Sequence, residues 1–229
     1  MQLKVENKFI DYFNENTEIY QGMSLIDREL GGTTPIDIVL TLPEEEIIID
    51  EDDFFFSEDS EVATYWWREK NMELLKSLKN SIDDVSGVGK VLSIANGAEF
   101  AENLNNGFPI GEAGLVFLKN SLLENDQAKQ IVDEYLSEDE RSTRISLRTV
   151  DSMDGLSRNE LLNEINAVLS AQLEGSDVSF YVSGLGVLYN NLLQSLFSSQ
   201  IKTFGVVFGA IFFMLLLLFR SAWVAFSII

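Results

Sequence analysis

An apolar run near the end of the chain constrains the fold more than any other feature. No residue between Phe204 and Phe219 is charged, and the run extends back to Ile201 past the single Lys202. A helix needs about 20 predominantly apolar residues to cross a bilayer. The run is apolar on every face, and Lys202 and Arg220 stand where the two membrane interfaces would lie. The sequence therefore predicts a transmembrane helix rather than a helix buried in a soluble core.

A second apolar stretch follows this run. Arg220 and Ser221 precede AWVAFSII, residues 222–229, which predicts a tight turn at a membrane face and the start of a further transmembrane helix. We therefore expect the chain to be a fragment of a longer polytopic protein. Because cationic residues favour the cytoplasmic side, Arg220 places residues 1 to about 200 on the opposite side. Residues 1–13 have no apolar core, so no targeting sequence is predicted there.

Two glycines in the apolar run have a spacing that is typical of helix contacts. Gly205 and Gly209 form a small-xxx-small pattern, which lets another membrane helix approach closely. Glycine is also frequent in membrane helices for other reasons. Both interpretations remain open on the sequence.

Composition excludes several classes of function. The chain has 37 acidic and 16 basic residues, a net charge of -21, which argues against binding to a phosphate backbone. It has no cysteine and no histidine, so disulfides, thiolate metal sites and the usual general base are excluded. We predict that the protein is not an enzyme and has no catalytic residue, no metal site and no cofactor.

The soluble part has the pattern of an α+β domain. Alternating or β-branched residues predict strands at 34–43, 90–96, 142–150 and 178–186. Amphipathic helices are predicted at 61–85, with Trp67, Leu74, Leu75, Leu78 and Ile82 on one face, and at 156–173. Ser157 is the expected cap of the second helix, with Glu160 three residues later. The order strand, helix, strand, strand, helix, strand predicts a ferredoxin-like split βαβ fold with helices on one face.

Further helical segments surround this unit. An insertion is predicted at 98–140, with a helical piece at 112–136, and a lead-in helix at 14–30 stops at Gly31 and Gly32. A continuous helix from Leu188 to Phe219 would be about 48 Å long and could carry motion between domain and bilayer. The predicted divisions are a helical lead-in (1–32), the α+β domain (33–186), a transmembrane helix with an extension (187–221), and the start of a further helix (222–229).

The most acidic stretch, residues 44–61, reads EEEIIIDEDDFFFSEDSE. Asp50, Glu51, Asp52 and Asp53 are hard oxygen ligands that suit calcium, but the EF-hand spacing is absent because no glycine follows at the turn. The sequence favours instead a solvated loop or a long hairpin arm, whose apolar triplets could touch a partner subunit or the membrane region. Mutual repulsion is expected to raise the pKa values of these carboxyl groups and to loosen the segment as pH rises.

Two other features invite a ligand-binding interpretation. GVGK at 87–90 lacks the first glycine and the Ser or Thr of a phosphate-binding loop, so it predicts a turn into a strand. Trp66 and Trp67 could stack on a ligand, but aromatic residues on an amphipathic helix more often lie in the core.

Several stretches together resemble the resistance-nodulation-division (RND) superfamily, in particular its MMPL-like, hydrophobe/amphiphile efflux branch. They are IYQGMSLIDRELGGTTPIDIVL (19–40), VGKVLSIAN (88–96), SRNELLNEI (157–165) and GLGVLYNNLLQSLFSSQIKTFGVVFGAIFFMLLLLFRS (184–221). The resemblance implies that residues 1 to about 185 are the first periplasmic porter-type domain of a bacterial inner-membrane exporter. Residues 187–219 would then be its second transmembrane helix and 222–229 the start of the third.

The resemblance also implies function and partners. Such transporters move hydrophobic or amphiphilic molecules, including lipids, by using the proton gradient. Expected partners are the remaining transmembrane bundle, the second porter domain, the substrate, the membrane and further copies of the chain in a homo-oligomer, but no nucleic acid. The acidic residues that couple protons lie in a later helix of the family, so none is assigned in this chain. A membrane-anchored binding or assembly module is the alternative, and an extracytoplasmic metal-dependent sensor is a third possibility.

Overall fold

The computed structural model describes residues 13–44, 65–150, 157–220 and 222–228. The helices are α1 (Glu18–Glu29), α2 (Glu69–Asp83), α3 (Ala95–Leu104), α4 (Gly111–Glu124), α5 (Asp126–Tyr135), α6 (Arg158–Gln172), α7 (Leu185–Phe219) and α8 (Ala222–Ile228). The strands are β1 (Thr34–Thr41), β2 (Val88–Leu92), β3 (Ser142–Thr149) and β4 (Ser179–Ser183). The described residues divide into two compact units, with the division between Val187 and Leu188.

The four strands form one sheet in the order β2-β3-β1-β4. Each neighbouring pair is antiparallel, with Ile38 opposite Ile145 on β3 and opposite Val182 on β4. Strands β1 and β2 therefore run in the same direction with β3 between them, as do β3 and β4 with β1 between them. This is the split βαβ arrangement, so the predicted ferredoxin-like fold is confirmed.

One face of the sheet packs against α2 and α6. Side chains alternate between buried and half-buried along β1, as expected for a strand with one face in the core. The fully buried residues of this core include Ile36, Ile38, Leu40, Leu75, Leu78, Ile82, Ile145, Leu147, Ile165 and Leu169. The apolar faces predicted for the two amphipathic helices are the ones that the core buries.

Helix α6 begins as its sequence predicts. The Oγ atom of Ser157 accepts a hydrogen bond from the backbone N–H of Glu160 at 3.3 Å, which satisfies one of the free donors of the first turn. Trp66 and Trp67 lie in a 3-10 turn before α2 rather than on the helix itself, and both are buried in the core. The structural interpretation of these tryptophans is therefore the correct one.

The predicted second strand, 90–96, is wrong at both ends. Strand β2 runs from Val88 to Leu92, and α3 begins at Ala95. The Oγ atom of Ser93 accepts from the N–H of Ala95, while the side chain of Asn96 accepts from the N–H of Ser93. These local hydrogen bonds compete with strand pairing and start a helix instead.

The insertion between β2 and β3 holds three helices, α3, α4 and α5, whereas one helical piece at 112–136 was expected. The helical conformation is interrupted at Asn125, which has an extended backbone (φ -99°, ψ 113°). Its Oδ1 atom accepts from the N–H groups of Gln127 and Ala128 and so caps α5. The polar side chain thus divides the predicted helix in two.

Helix α1 stops at the glycine pair, as predicted, since Gly31 has a positive φ of 76°. The turn is also held by Asp27, which is completely buried. The hydroxyl of Thr33 donates to the side-chain Oδ1 of Asp27 at 2.8 Å, and the backbone N–H of Gly32 donates to the backbone carbonyl oxygen of Asp27 at 2.7 Å. A buried carboxylate therefore fixes the direction in which the chain enters β1.

The glycines also permit a close approach of three backbone segments, which we call the glycine junction (Gly31, Gly32, Gly89 and Thr149). A Cβ atom on Gly89 would lie 1.9 Å from the carbonyl oxygen of Gly31, and one on Gly32 would lie 2.4 Å from that of Thr149. The N–H of Lys90 donates to the Gly31 carbonyl at 3.2 Å. The turn into a strand predicted from GVGK is also present, because Gly87 has a positive φ of 89° directly before β2, and the second glycine of this sequence, Gly89, has a packing role.

Candidate membrane span and interaction surfaces

Helix α7 carries the predicted transmembrane run. It has 35 residues, which corresponds to about 52 Å at 1.5 Å per residue, well beyond the ~30 Å of a hydrocarbon core. Among the described residues it is the one helix that is long and apolar enough to cross a membrane, and none of its apolar window is buried. Apolar side chains on different sides of the helix, such as Phe204, Phe208, Phe213 and Met214, are exposed. A helix that is apolar all round and uncovered is suited to a lipid environment.

The turn predicted after this helix is present. Helix α7 ends at Phe219, and Arg220 has a positive φ of 50° while its N–H donates to the carbonyl of Leu216 at 2.9 Å. Helix α8 begins at Ala222. A left-handed backbone at a non-glycine residue is uncommon and marks a sharp change of direction.

The two glycines of α7 have open space beside them. A Cβ atom added at Gly205 or Gly209 would meet no atom within 4 Å. This space is compatible with the close approach of another membrane helix.

An apolar surface lies on the inserted helices of the α+β unit. Phe100 and Leu104 are one helical turn apart on α3, and they are 66% and 73% exposed. Phe108 follows in the turn after α3, where its N–H donates to the carbonyl of Asn105, and it is 68% exposed. Phe117 on α4 is also exposed. Phe100, Leu104 and Phe108 are also close along the chain, and exposed apolar side chains of this kind suit a surface that meets a partner.

Two ion pairs hold α3 against α2. Lys76 Nζ lies 2.5 Å from Glu102 Oε1, and Lys79 pairs with Glu99 one turn away. The residues that α3 buries are small, namely Ala95 and Ala98. Its attachment therefore depends on charge as well as on apolar contact, and its large apolar side chains remain outward.

Charged and aromatic groups also meet beside β3. The guanidinium of Arg144 lies 5.3 Å from the centre of the Tyr135 ring, a cation-π geometry, and its Nε is 3.9 Å from Asp37 Oδ1. Burial raises the pKa of the Tyr135 phenol above its usual 10.0, although the positive charge of Arg144 acts in the opposite direction. The phenol is therefore neutral at physiological pH.

The carboxyl group of Asp139 should titrate below the ordinary aspartate value of 3.8. Its pKa is lowered because the Ser137 hydroxyl donates to Oδ1, and the backbone N–H of Arg141 donates to the same oxygen at 3.1 Å. Because the pKa of Asp139 is lower in the folded chain than in the unfolded chain, its carboxylate stabilises the turn at pH values above the unfolded pKa. This stabilisation is lost as the pH falls through the folded pKa. A pH titration followed by carbon-13 NMR of the labelled carboxyl group measures the pKa of Asp139. Ser137→Ala should move the midpoint towards 3.8, and a wild-type midpoint at or above 3.8 would contradict the assignment.

The sites considered on sequence grounds have different outcomes. The acidic segment 44–61, with its calcium alternative and its expected pKa behaviour, lies outside the described residues apart from Glu44, whose Oε2 is 3.9 Å from Arg141 Nη1. Within the described ranges, no group of three or more carboxylates is placed to hold a metal ion. The sequence reasoning did not identify the exposed residues of α3, although the pair Phe100 and Leu104 at helical spacing was a visible signal.

Comparison with known proteins gives one family. Residues 57–229 match the MMPL family, and this range covers most of the α+β unit together with α7 and α8. No curated protein matches the chain.

Proposed function

Because the chain belongs to the MMPL family, which identifies a membrane transporter of the RND/MMPL type, we propose that it is part of a proton-driven exporter of hydrophobic or amphiphilic molecules. The family match is the observation that carries this proposal, and the exposed apolar helix α7 supports it. The protein would belong to the hydrophobe/amphiphile efflux branch and lie in a bacterial inner membrane. It would act by transport and not as an enzyme.

The two parts of the chain have distinct roles in this proposal. The α+β unit is a porter-type domain on the periplasmic side that accepts or relays a lipid-like substrate. Porter domains act by rigid-body shifts that open and close a cleft, so their interfaces matter more than catalytic side chains. Residues 188–219 of α7 couple these shifts to the rest of the transmembrane bundle, and the domain works beside a second porter domain.

Gradient-dependent transfer tests the proposal directly. The complete transporter is placed in proteoliposomes with an imposed proton gradient, and the transfer of a fluorescent fatty acid to acceptor vesicles is followed. We expect transfer to require the gradient and to stop when a protonophore collapses it. Protein-free vesicles with the same gradient control for spontaneous exchange. Transfer by the transporter that is equally fast with and without the gradient would disprove proton-driven export.

A membrane-anchored binding or assembly module is a second candidate function. The exposed side chains of Phe100, Leu104 and Phe108 favour it, because grouped apolar residues of this kind suit a protein contact. Cross-linking from these three positions in native membranes separates the two functions. An anchored module predicts a stable protein partner at all three sites together with gradient-independent function.

A further inference from the structure

The face of the sheet turned away from α2 and α6 carries the polar residues of the strands. We call it the outer sheet face, defined by Asp37 and Val39 on β1, Arg144 and Arg148 on β3, and Tyr181 on β4. These residues alternate with buried ones along β1 and β3, and with half-buried ones along β4. In the pairing register Val39 lies opposite both Arg144 and Tyr181. Residues directly opposite each other on one face have Cβ atoms about 5 Å apart, so they are neighbours.

A bulge in β2 adds a further cation to this face. Val88 pairs with Thr149 and Val91 pairs with Leu147, so Gly89 and Lys90 together stand opposite Arg148. Lys90 precedes the buried Val91 and is exposed, as is Arg148. The bulge is possible because residue 89 is a glycine at the glycine junction. The backbone thus brings two cationic side chains side by side.

This pair of cations contradicts the ordinary rule for neighbouring strands. Like charges directly opposite each other destabilise a sheet. Neither Lys90 nor Arg148 forms an ion pair with a carboxylate of the described residues. The chain has 37 acidic residues and 16 basic ones, so unpaired neighbouring cations run against its overall composition. A local rule broken in this way is typical of a functional site.

A third cation lies further along the same strand. Arg144 is held over the Tyr135 ring, and Asp37 is the nearest carboxylate to it. The distance of 3.9 Å from Arg144 Nε to Asp37 Oδ1 is too long for a hydrogen bond, so Asp37 neutralises the arginine incompletely. Among the strand residues that the structure describes on this face, three cations stand against one carboxylate, which leaves an excess of positive charge.

Apolar groups stand directly beside these cations. Pro35 lies opposite Arg148, and Val39 lies opposite Arg144. Tyr181 is 58% exposed and is the neighbour of Val39 on the other side. A small inorganic anion would contact the cations but not the apolar groups. A molecule with an anionic headgroup and a hydrocarbon part would contact both.

We propose that the outer sheet face binds the phosphate headgroup of an anionic amphiphile, with Lys90 and Arg148 on the phosphate and the hydrocarbon running from Pro35 towards Val39 and Tyr181. Arginine suits this role because its planar guanidinium donates two parallel hydrogen bonds to phosphate oxygens. Arg144 adds positive charge to the approach. The inference rests on the proposed function, because that function supplies the amphiphilic class of ligand, and it adds the sign of the headgroup and the place where it binds.

Binding of a short-chain lipid tests the proposal. Isothermal titration calorimetry is run on the full chain in neutral maltoside detergent, with dihexanoyl phosphatidic acid, dihexanoyl phosphatidylcholine and inorganic phosphate as separate probes. We expect phosphatidic acid to bind most tightly. The double variant Lys90→Gln/Arg148→Gln should lose about tenfold or more in affinity for it, because two charge-assisted contacts disappear.

The matched control removes two other exposed cations. Lys70 on α2 and Lys129 on α5 are exposed and lie off the sheet, so Lys70→Gln/Lys129→Gln makes the same change in net charge. This variant should bind phosphatidic acid like the wild type. Both variants are compared by thermal unfolding. We expect an unchanged midpoint in the control, and an unchanged or higher midpoint in the Lys90 and Arg148 variant because the repulsion between two neighbouring cations is removed.

Three outcomes would overturn the proposal. They are an unchanged affinity in the Lys90 and Arg148 variant, an equal loss in the control variant, and inorganic phosphate that competes as well as the lipid. The proteoliposome assay keeps this inference separate from the proposed function. If transfer depends on the gradient and phosphatidic acid binds independently of the two cations, only the present inference fails. If transfer is independent of the gradient, proton-driven export fails whatever the calorimetry gives.

Discussion

Replacing Gly89 with alanine should lower the free energy of unfolding of the α+β unit by about 3 kcal/mol. A Cβ atom at this position would lie 1.9 Å from the carbonyl oxygen of Gly31, which is far inside van der Waals contact. That oxygen accepts the N–H of Lys90, so the backbone cannot move away without weakening this hydrogen bond. Urea unfolding of the full chain in neutral detergent measures the change. Trp66 and Trp67 are buried and report it by fluorescence.

The chain offers a matched control for this substitution. Gly97 lies within α3, and an added Cβ atom there would meet nothing within 4 Å. Gly97→Ala should therefore raise the free energy of unfolding by about 0.5–1 kcal/mol through helix propensity. Equal stabilities of the two variants would show that the glycine junction is not tightly packed.

Replacing Glu99 with alanine should lower the free energy of unfolding by about 3 kcal/mol. The side chain of Lys79 is 11% exposed, so the loss of its partner leaves a nearly buried ammonium group without a counter-charge. Lys79→Met removes the charge itself and fills the same space, so its effect should be much smaller. The double variant Lys79→Met/Glu99→Ala should recover most of the loss. Urea unfolding with tryptophan fluorescence is again the measurement.

The asymmetry between these variants is the critical result. If Lys79→Met destabilises the protein as much as Glu99→Ala does, the pair stabilises by direct attraction and not by avoiding an unpaired charge. Glu29→Ala is the control for a surface pair. Arg28 and Glu29 are 68% and 62% exposed, so the loss of their contact should change the stability by well under 1 kcal/mol.

Much of the fold could be predicted because its signals are local. The alternation in β1 and β3 follows from the two-residue period of a strand with one buried face. The cap at Ser157 and the stop at Gly31 each depend on a few adjacent residues. Helix α7 follows from the length of an uncharged run. None of these features requires knowledge of which distant segments touch.

The errors of boundary have a common physical cause. At Ser93 and Asn125, short polar side chains bond to nearby backbone groups and start a helix where a strand, or an unbroken helix, was expected. The apolar periodicity continues through both points, so it gives no sign of the change. Asn125 followed by Asp126 is a recognisable N-cap signal, but the apolar periodicity across it predicted an unbroken helix.

The outer sheet face could not be found from the sequence because it depends on register. The alternation in β3 already assigns Arg144 and Arg148 to the polar side. These arginines indicate a binding site only together with Lys90, which lies opposite Arg148. This neighbour is known only once the pairing of β2 with β3 and its bulge are known. A shift of one residue would turn Lys90 to the other face.

The insertion is also expected to influence the order in which this domain folds. In a plain split βαβ unit β2 and β3 are joined by a short connection, whereas here residues 93–141 separate them. The contacts between α4 and α5 are close in sequence, while every strand pair of the sheet joins distant segments. Chain entropy must be lost before such pairings form, so proteins dominated by them fold in milliseconds to seconds. We therefore expect the inserted helices to form first and the sheet to close last, with the two cations of its outer face brought together only at that final step.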